Sequence, residues 1–506
     1  MSLLGIDVGT TATKAVAFDR DGRPLCAAHR ENPIIDRGGG QFDFDTRAIR
    51  AHLWEILSEV ARGTRRDPVE ALAVSSCGEV AVPVDRDLNT LGDAAVGYDV
   101  RGGDAAERVN RELGEIGVFR ATGGYLSAVS KLGKVAWYRQ HRPEVYDRAW
   151  KFLGNGEWVC ALLGGEPLTT PSVEGCCGAM RADGAGYVPD ILQIAGVDAE
   201  KLPRIVPSGT VAGRMSEPAA RELGFRPGVL LVAGGLDQQC AALGAGAVRP
   251  GQVSYGMGTV FCLTIVTPGP DLSEGMFRDR LSSRLHAVPG GHNTFVYNRT
   301  GGAILKWYRD TLGEAARSRA AAEGADVYDL ILEEIPEGPT RLLTLPHFAP
   351  SGPPHLDAAS RGAVVGLTLG TSRGEVVKAL LEGAAMEMRL GVALLERRGT
   401  GVDDFIATGG GARSDAWLQV HADIFGKPFR RSASTEAGCL GAAILAGVAA
   451  GAFASVDEAV AQVCRTSERF EPDPRRGAIY RDRLEVYRKL YPALREVHHA
   501  LAEKIE

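Results

Sequence analysis

An acidic residue and a glycine-hydroxyl turn stand directly behind the first apolar run, in Leu3-Leu-Gly-Ile-Asp-Val-Gly-Thr-Thr-Ala-Thr-Lys14. Gly9 lets the backbone turn tightly, and Thr10, Thr11, Thr13 and Lys14 supply hydroxyl and ammonium donors suited to phosphate oxygens. Asp7 is a hard oxygen ligand where a Mg2+ ion would bridge to those phosphates. Taken alone, the same residues read equally as a hairpin turn with a capping Asp. A second acid, Asp237, follows the apolar run 229–233 and Gly234-Gly235-Leu236. A carboxylate at the carboxyl end of a strand, where a helix begins, projects into the crevice of an α/β sheet and can accept a hydroxyl proton. Its ordinary pKa of about 3.9 keeps it ionised at neutral pH. Its structural alternative is to cap the helix that starts at Gln238.

The elements that must position these groups can be read from periodicity. Apolar strands are predicted over 3–8, 15–18 and 24–28, separated by the Gly9 turn and by Asp19-Arg-Asp-Gly22. A helix is predicted over 46–61, followed by strands 69–74 and 80–84, then strand 229–233 and helix 238–245. Strands alternating with helices predict an α/β sheet covered on both faces. Val248-Arg-Pro-Gly251 marks a boundary, after which Gln252-Val-Ser-Tyr-Gly-Met-Gly-Thr-Val-Phe-Cys-Leu263 repeats the opening theme of strand, glycine turn, strand. A third glycine turn, Gly409-Gly-Gly-Ala412, follows strand 405–408 and precedes a helix ending near Phe425. The run 480–503 reads as one amphipathic closing helix.

A chain of 506 residues exceeds one hydrophobic core, so two or more domains are expected. Hydrophobic residues at 45% and charged residues at 24% are those of a folded globular enzyme. The net charge of −6, spread along the chain, offers no basic stripe for nucleic acid. Nine cysteines, an odd number without CxxC spacing, predict a reduced cytoplasmic protein. Asp7 interrupts the only apolar stretch near the amino terminus, which argues against a signal peptide. Segment 440–454 is too short and glycine-rich to span a membrane.

Four separated motifs then agree: Gly5-Ile-Asp-Val-Gly-Thr-Thr11, Gly234-Gly-Leu-Asp-Gln238, Gly409-Gly-Gly-Ala-Arg-Ser-Asp415 and Glu436-Ala-Gly-Cys-Leu-Gly-Ala-Ala-Ile-Leu-Ala-Gly447. In this order the chain resembles the FGGY carbohydrate kinases, a branch of the actin, hexokinase and heat-shock ATPase superfamily. The resemblance implies an α/β fold of two actin-like (ribonuclease H-like) domains with a catalytic cleft between them. The expected segments are 1–247 with sugar, phosphates and base, 248–455 with adenosine, and a closing helical tail, 456–506. It implies ATP and Mg2+ as cofactors, Asp237 as catalytic base and Asp7 at the metal. Thr10, Thr11 and Lys14 would meet the phosphates from the first domain and Gly258 and Thr259 from the second. Gly302 would lie beside the nucleotide, and Gly410, Gly411 and Asp415 would form the adenosine turn. Met257 departs from the family, which usually has Thr there.

By the same resemblance the sugar contacts fall at Gly78 and Glu79 in Cys77-Gly78-Glu79, at Asp99 in Gly97-Tyr98-Asp99-Val100-Arg101, and at Asp237. Gly78 leaves empty a volume that relatives fill with Met or Arg. The expected acceptor is a small sugar, D-xylulose or a related ketose first, glycerol or another polyol second. A non-catalytic nucleotide-dependent sugar-binding regulator is the reading from another class. The expected partner is this small molecule, with a homodimer as an open alternative and neither nucleic acid nor membrane. Cys77 reads as a buried small hydrophobe, and His498 and His499 as solvated helix residues.

Overall fold

The computed structural model describes residues 2–505. Strands β1 (Ser2–Val8), β2 (Ala12–Phe18), β3 (Pro24–Glu31), β4 (Val69–Ser76), β5 (Val211–Arg214) and β6 (Leu230–Leu236) form one sheet in the order β5-β6-β4-β1-β2-β3. Strands β7 (Gln252–Met257), β8 (Phe261–Thr267), β9 (Arg284–Leu285), β10 (His292–Asn298), β11 (Asp404–Thr408), β12 (Phe429–Ser432) and β13 (Thr466–Phe470) form a second, ordered β9-β10-β8-β7-β11-β12-β13. In the first, β1 is antiparallel to β2 and parallel to β4, which is parallel to β6. In the second, β7 is antiparallel to β8 and parallel to β11, which is parallel to β12. The repeat predicted at residue 252 is thus a repeat of topology, and the architecture is the expected pair of α/β domains.

Leu4, Ile6 and Val8 of β1 and Leu72 and Val74 of β4 are buried, as expected of strands covered on both faces. One cover is helix α1 (Thr46–Gly63), whose Ile49, Leu53, Ile56, Leu57 and Val60 share a buried face. Asp45 starts it by accepting hydrogen bonds from the amides of Arg47 and Ala48. The helices that follow in the chain and bear on the site are α2 (Lys131–His141), α3 (Asp237–Ala245), α4 (Ala303–Thr311), α5 (Arg373–Glu396), α6 (Asp415–Phe425) and α7 (Ala437–Ala449). Helix α7, although late in the chain, packs on β1 and β4 of the first sheet, and α3 packs on α7 and on β7 of the second. The weakly apolar, glycine-rich stretch read around residue 440 is explained here. A methyl group on Gly441 would sit 1.9 Å from the Cys240 carbonyl oxygen, and one on Gly244 2.0 Å from that of Ala437. Small residues let the two helices touch backbone to backbone. No helix among the described residues is long and apolar enough to cross a membrane.

The tail differs from one closing helix. It begins with a short helix (Val456–Val463), passes through edge strand β13 and ends as two helices, α8 (Pro474–Tyr487) and α9 (Leu490–Ile505). Tyr480 donates to buried Glu382 at 2.7 Å and Tyr487 to buried Glu387 at 2.6 Å, both on α5. His498 is only 4% exposed and His499 pairs with Asp357 at 2.9 Å, so these histidines dock the tail instead of facing solvent. Alternating charges in the sequence masked the apolar face that buries them.

Candidate active site

The carboxyl ends of β1, β4 and β6, three adjacent parallel strands, bring Asp7, Ser75 and Asp237 to one place. Asp7 pairs in register with Ser75, whose hydroxyl donates to its Oδ1 at 2.7 Å. Leu236 pairs with Ser76 after a bulge between Val232 and Gly235. The bulge centres on Gly234, where a methyl group would lie 1.9 Å from the Val74 carbonyl oxygen. Such an insertion re-aims the strand's last side chains, and the next one after the strand is Asp237.

Asp237 is the first residue of α3, and its Oδ1 accepts from the neighbouring Gln238 amide at 2.6 Å. The N-cap position belongs to Leu236, so Asp237 is not the helix cap. Burial, then the like charge of Asp7, push its carboxyl up to about 7, and Glu79 adds to the rise. The expectation of a plainly ionised carboxylate is corrected accordingly: the sequence carries no record of the desolvation. Burial also raises Asp7, against the hydrogen bond from Ser75 and the charge of Lys14. Lys14 itself pairs with Glu436 at 2.7 Å, across from the start of α7.

The two glycine turns are braced differently. In the first, Gly9 donates to the Ala12 carbonyl at 3.1 Å, leaving Thr10 half-buried and Thr11 exposed. Asn32, unmarked in the sequence, braces this turn by donating to the Gly9 carbonyl and accepting from Thr13, both at 2.8 Å. In the second, Met257 is fully buried in the core, so its side chain leaves the turn to Gly258, Thr259 and Val260. Gly302 donates to the Gly258 carbonyl at 2.8 Å, where a methyl group would come within 2.7 Å of that oxygen. A methyl group on Gly410 would find nothing within 4 Å, whereas one on Gly411 would meet the Met257 carbonyl at 3.0 Å. Glycine at 411 is therefore required by the protein's own backbone, and Gly410 alone opens onto free space. Asp415, 76% exposed, is held by Arg431, which also donates to the Ala412 carbonyl at 2.7 Å. Its carboxylate fixes the glycine turn.

The sugar wall departs most from expectation. Asp99 is 0% exposed, and its oxygens accept from the Phe42 amide at 2.6 Å and from Arg101 Nε and Nη2 at 2.8 Å. No oxygen is left for an acceptor, because Arg101, stacked on Trp137 with its guanidinium carbon 4.9 Å from the ring centroid, claims both. Gly78 leaves no void: a methyl group there would sit 2.7 Å from Cys176 Cβ and 2.9 Å from the Val173 carbonyl oxygen. Cys176, distant in sequence, fills the volume. Cys77 is buried, with its thiol pushed up chiefly by desolvation. Glu79 is half-buried, and its backbone is gripped by Lys134 of α2. The Lys134 ammonium donates to the carbonyls of Glu79 at 2.8 Å, Val96 at 2.5 Å and Gly97 at 2.9 Å. Buried lysines are rare enough that only the adjacent apolar Leu132 and Val135 could have signalled this one.

Among the described residues no cluster of three or more His, Cys, Asp and Glu side chains forms a protein-only metal cage. One or two carboxylates with room for phosphate oxygens is how proteins hold Mg2+, and the half-buried pair Asp7 and Asp237, repelling one another, suits a divalent cation. Thus Asp7 and half-buried Asp237 share one end of the first sheet, and the Gly258 turn, Gly302 and Gly411 meet at the second.

Models of the FGGY family of carbohydrate kinases match the chain, the N-terminal domain over residues 2–244 and the C-terminal domain over 253–450. A gluconokinase of Bacillus subtilis is 28% identical over 99% of this chain and 98% of its own, and an autoinducer-2 kinase of Klebsiella pneumoniae 26% identical over 97% and 93%. The crystal structure of a ligand-bound xylulose kinase from Lactobacillus acidophilus shares the fold with a TM-score of 0.88 at 22% identity, covering 99% of both chains. Motif order, duplicated topology and whole-length matches together establish that the chain belongs to the FGGY family of carbohydrate kinases and is a phosphotransferase with an alcohol group as acceptor.

Proposed function

We propose that this kinase transfers the γ-phosphoryl group of ATP, with Mg2+, to a hydroxyl of a small polyhydroxylated acceptor, and that Asp237 takes up the hydroxyl proton. The observation that carries the reading is the position of Asp237 directly after β6, whose Leu236 pairs with Ser76 of β4, next to the Ser75 that bonds Asp7, with its carboxyl raised by burial and by the like charges of Asp7 and Glu79. A base near the working pH combines ionisation with proton affinity. As the acceptor oxygen bonds to the γ-phosphorus, the bond from phosphorus to the ADP oxygen breaks and the proton passes to Asp237. Thr10, Thr11 and Lys14 hold the phosphates from one side and the Gly258-Thr259 turn from the other. Gly410 leaves the nucleoside its space, Gly302 and Gly411 let the Met257-Gly258 backbone close against them, and Asp415 secures the glycine turn. Asp7 would hold Mg2+, which supplies charge neutralisation on the phosphate oxygens.

D-xylulose or a related ketose is the acceptor predicted from sequence, and glycerol or another polyol the second reading. Glu79 serves hydroxyls of any of these, and selection among them falls to the far wall of the pocket. The family match and the kinase-named relatives favour the enzyme over a non-catalytic regulator. The test is acceptor-stimulated ADP release over ketoses, polyols, aldoses and sugar acids. Asp237→Ala is expected to lose about 10²–10⁴ in kcat with ATP affinity kept. Normal turnover by the variant would remove Asp237 from the base role.

A further inference from the structure

Arg284, on edge strand β9 of the second sheet, reaches across to the first domain. The Ser283 amide donates to the Gly123 carbonyl at 2.8 Å, and Tyr125 donates to the Phe277 carbonyl at 2.9 Å, so the strand is fastened to the loop of residues 123–125. The guanidinium then lies in a slot between two glycines. A methyl group on Gly124 would come within 2.5 Å of Arg284 Nη2, and one on Gly175 within 3.2 Å of Nη1. Nη1 is fully covered and has no hydrogen-bond partner, and the side chain makes no ion pair among the described residues. An arginine does not shed its proton to escape such a site, and a covered guanidinium nitrogen without an acceptor is costly even where the rest of the side chain is partly exposed. Other arginines with covered guanidinium groups here, such as Arg101, have their carboxylates.

The slot adjoins Cys176, which packs against Gly78 beside Glu79. Gly175 is followed by Cys176, the side chain that fills the space over Gly78, and the electrostatic neighbours of Cys176 are Glu79, Arg284 and Asp237. Those of Asp237 are Asp7 and Glu79, whereas those of Asp7 are Lys14 and Glu436. Cys176 therefore stands near the Glu79 and Asp237 carboxylates and the Arg284 guanidinium alike. Arg284 is not among the charges that act most strongly on Asp7 and Asp237, the acids expected at the phosphoryl group.

Resting on the kinase reading, we propose that Arg284 is a specificity-determining residue that binds the carboxylate of a polyhydroxy acid, so that the acceptor is a sugar acid phosphorylated on the hydroxyl remote from its carboxylate. The guanidinium fork matches a carboxylate in two hydrogen bonds. A monoanion is favoured over a phosphate dianion because Asp7, Asp237 and Glu79 already load the pocket with negative charge.

The experiment compares D-gluconate and D-xylonate with D-glucitol, D-xylulose and sugar phosphates as acceptors in ADP release, with calorimetric binding of D-gluconate and the same assays on Arg284→Gln and Arg284→Lys. The acids are expected to be preferred, and Arg284→Gln to lower kcat/KM for them about 100-fold, with neutral acceptors changed by less than about twofold, as befits one charged contact. Arg284→Lys should restore part of the loss, and phosphorus NMR should place the product phosphate on the terminal hydroxyl. Turnover of a neutral ketose with acids no better and Arg284→Gln without effect overturns the carboxylate seat while leaving the kinase reading intact. Preference for a sugar phosphate also overturns it. If no acceptor releases ADP the kinase reading falls; calorimetric binding of D-gluconate that Arg284→Gln abolishes would then still support the seat, and no binding would overturn it.

Discussion

Asp237 couples chemistry to stability through one proton. With a folded pKa near 7 against an ordinary 3.8, the folded state keeps a proton that the unfolded chain has released between those values. Stability from this group is full below the lower value and falls as pH rises to about 7. Asp237→Asn is therefore expected to raise Tm above pH 7 relative to the native chain and to leave it nearly unchanged at pH 4, measured by calorimetry. In the native enzyme kcat/KM should fall about tenfold per pH unit below about 7 as the base protonates. Glu79→Gln, which removes a like charge beside Asp237, should shift that limb to lower pH and raise acceptor KM while sparing ATP KM. An unmoved limb with unchanged acceptor KM would confine Glu79 to the scaffold.

At the scale of elements, the crossing of α3 and α7 fixes where Asp237 points. Their closest approach has a backbone carbonyl on each side facing a glycine, Gly441 against Cys240 and Gly244 against Ala437. Backbone cannot give way as a side chain end can, so Gly441→Val is expected to cost about 1–3 kcal/mol or more by overpacking, read as a drop in Tm. It should also lower kcat more than it raises ATP KM, because α3 starts at the base. A Tm and kcat indistinguishable from the native chain would show that the helices are free to part. The β6 bulge at Gly234 works on the same element from its other end.

At the scale of the molecule, β13, α8 and α9 are part of the second domain. Tyr480 and Tyr487 bond to buried carboxylates of α5, and Asp357 receives both Tyr491 and His499 of α9 at 2.9 Å. Burial opposes the charge of Asp357, yet the hydrogen bonds from His499 and Tyr491 hold its carboxyl below the usual range. This contribution to stability is present above the ordinary Asp pKa and is lost on acidification. Asp357→Ala should expose α9 to limited proteolysis at neutral pH without changing kcat for the preferred acceptor. Equal protease resistance would show that the apolar contacts of the tail suffice alone.

Residue order along the chain determined the glycine turns at 9, 258 and 409, the strand that precedes Asp237 and the repeat beginning at 252, because periodicity and turn chemistry are local. It also marked the two-domain architecture, since the separated motifs appear in family order. Tertiary structure decided what depends on neighbours remote in sequence. Arg101 takes the Asp99 carboxylate, Cys176 fills the place above Gly78, Met257 turns into the core, and Lys134 grips the Glu79 backbone. Desolvation next to Asp7 lifts Asp237 to about 7, and Arg284 arrives from the other sheet without an acceptor. Burial and charge pairing are properties of the packed whole, so neither the tuning of the base nor the far wall of the pocket could be read before the halves were brought together.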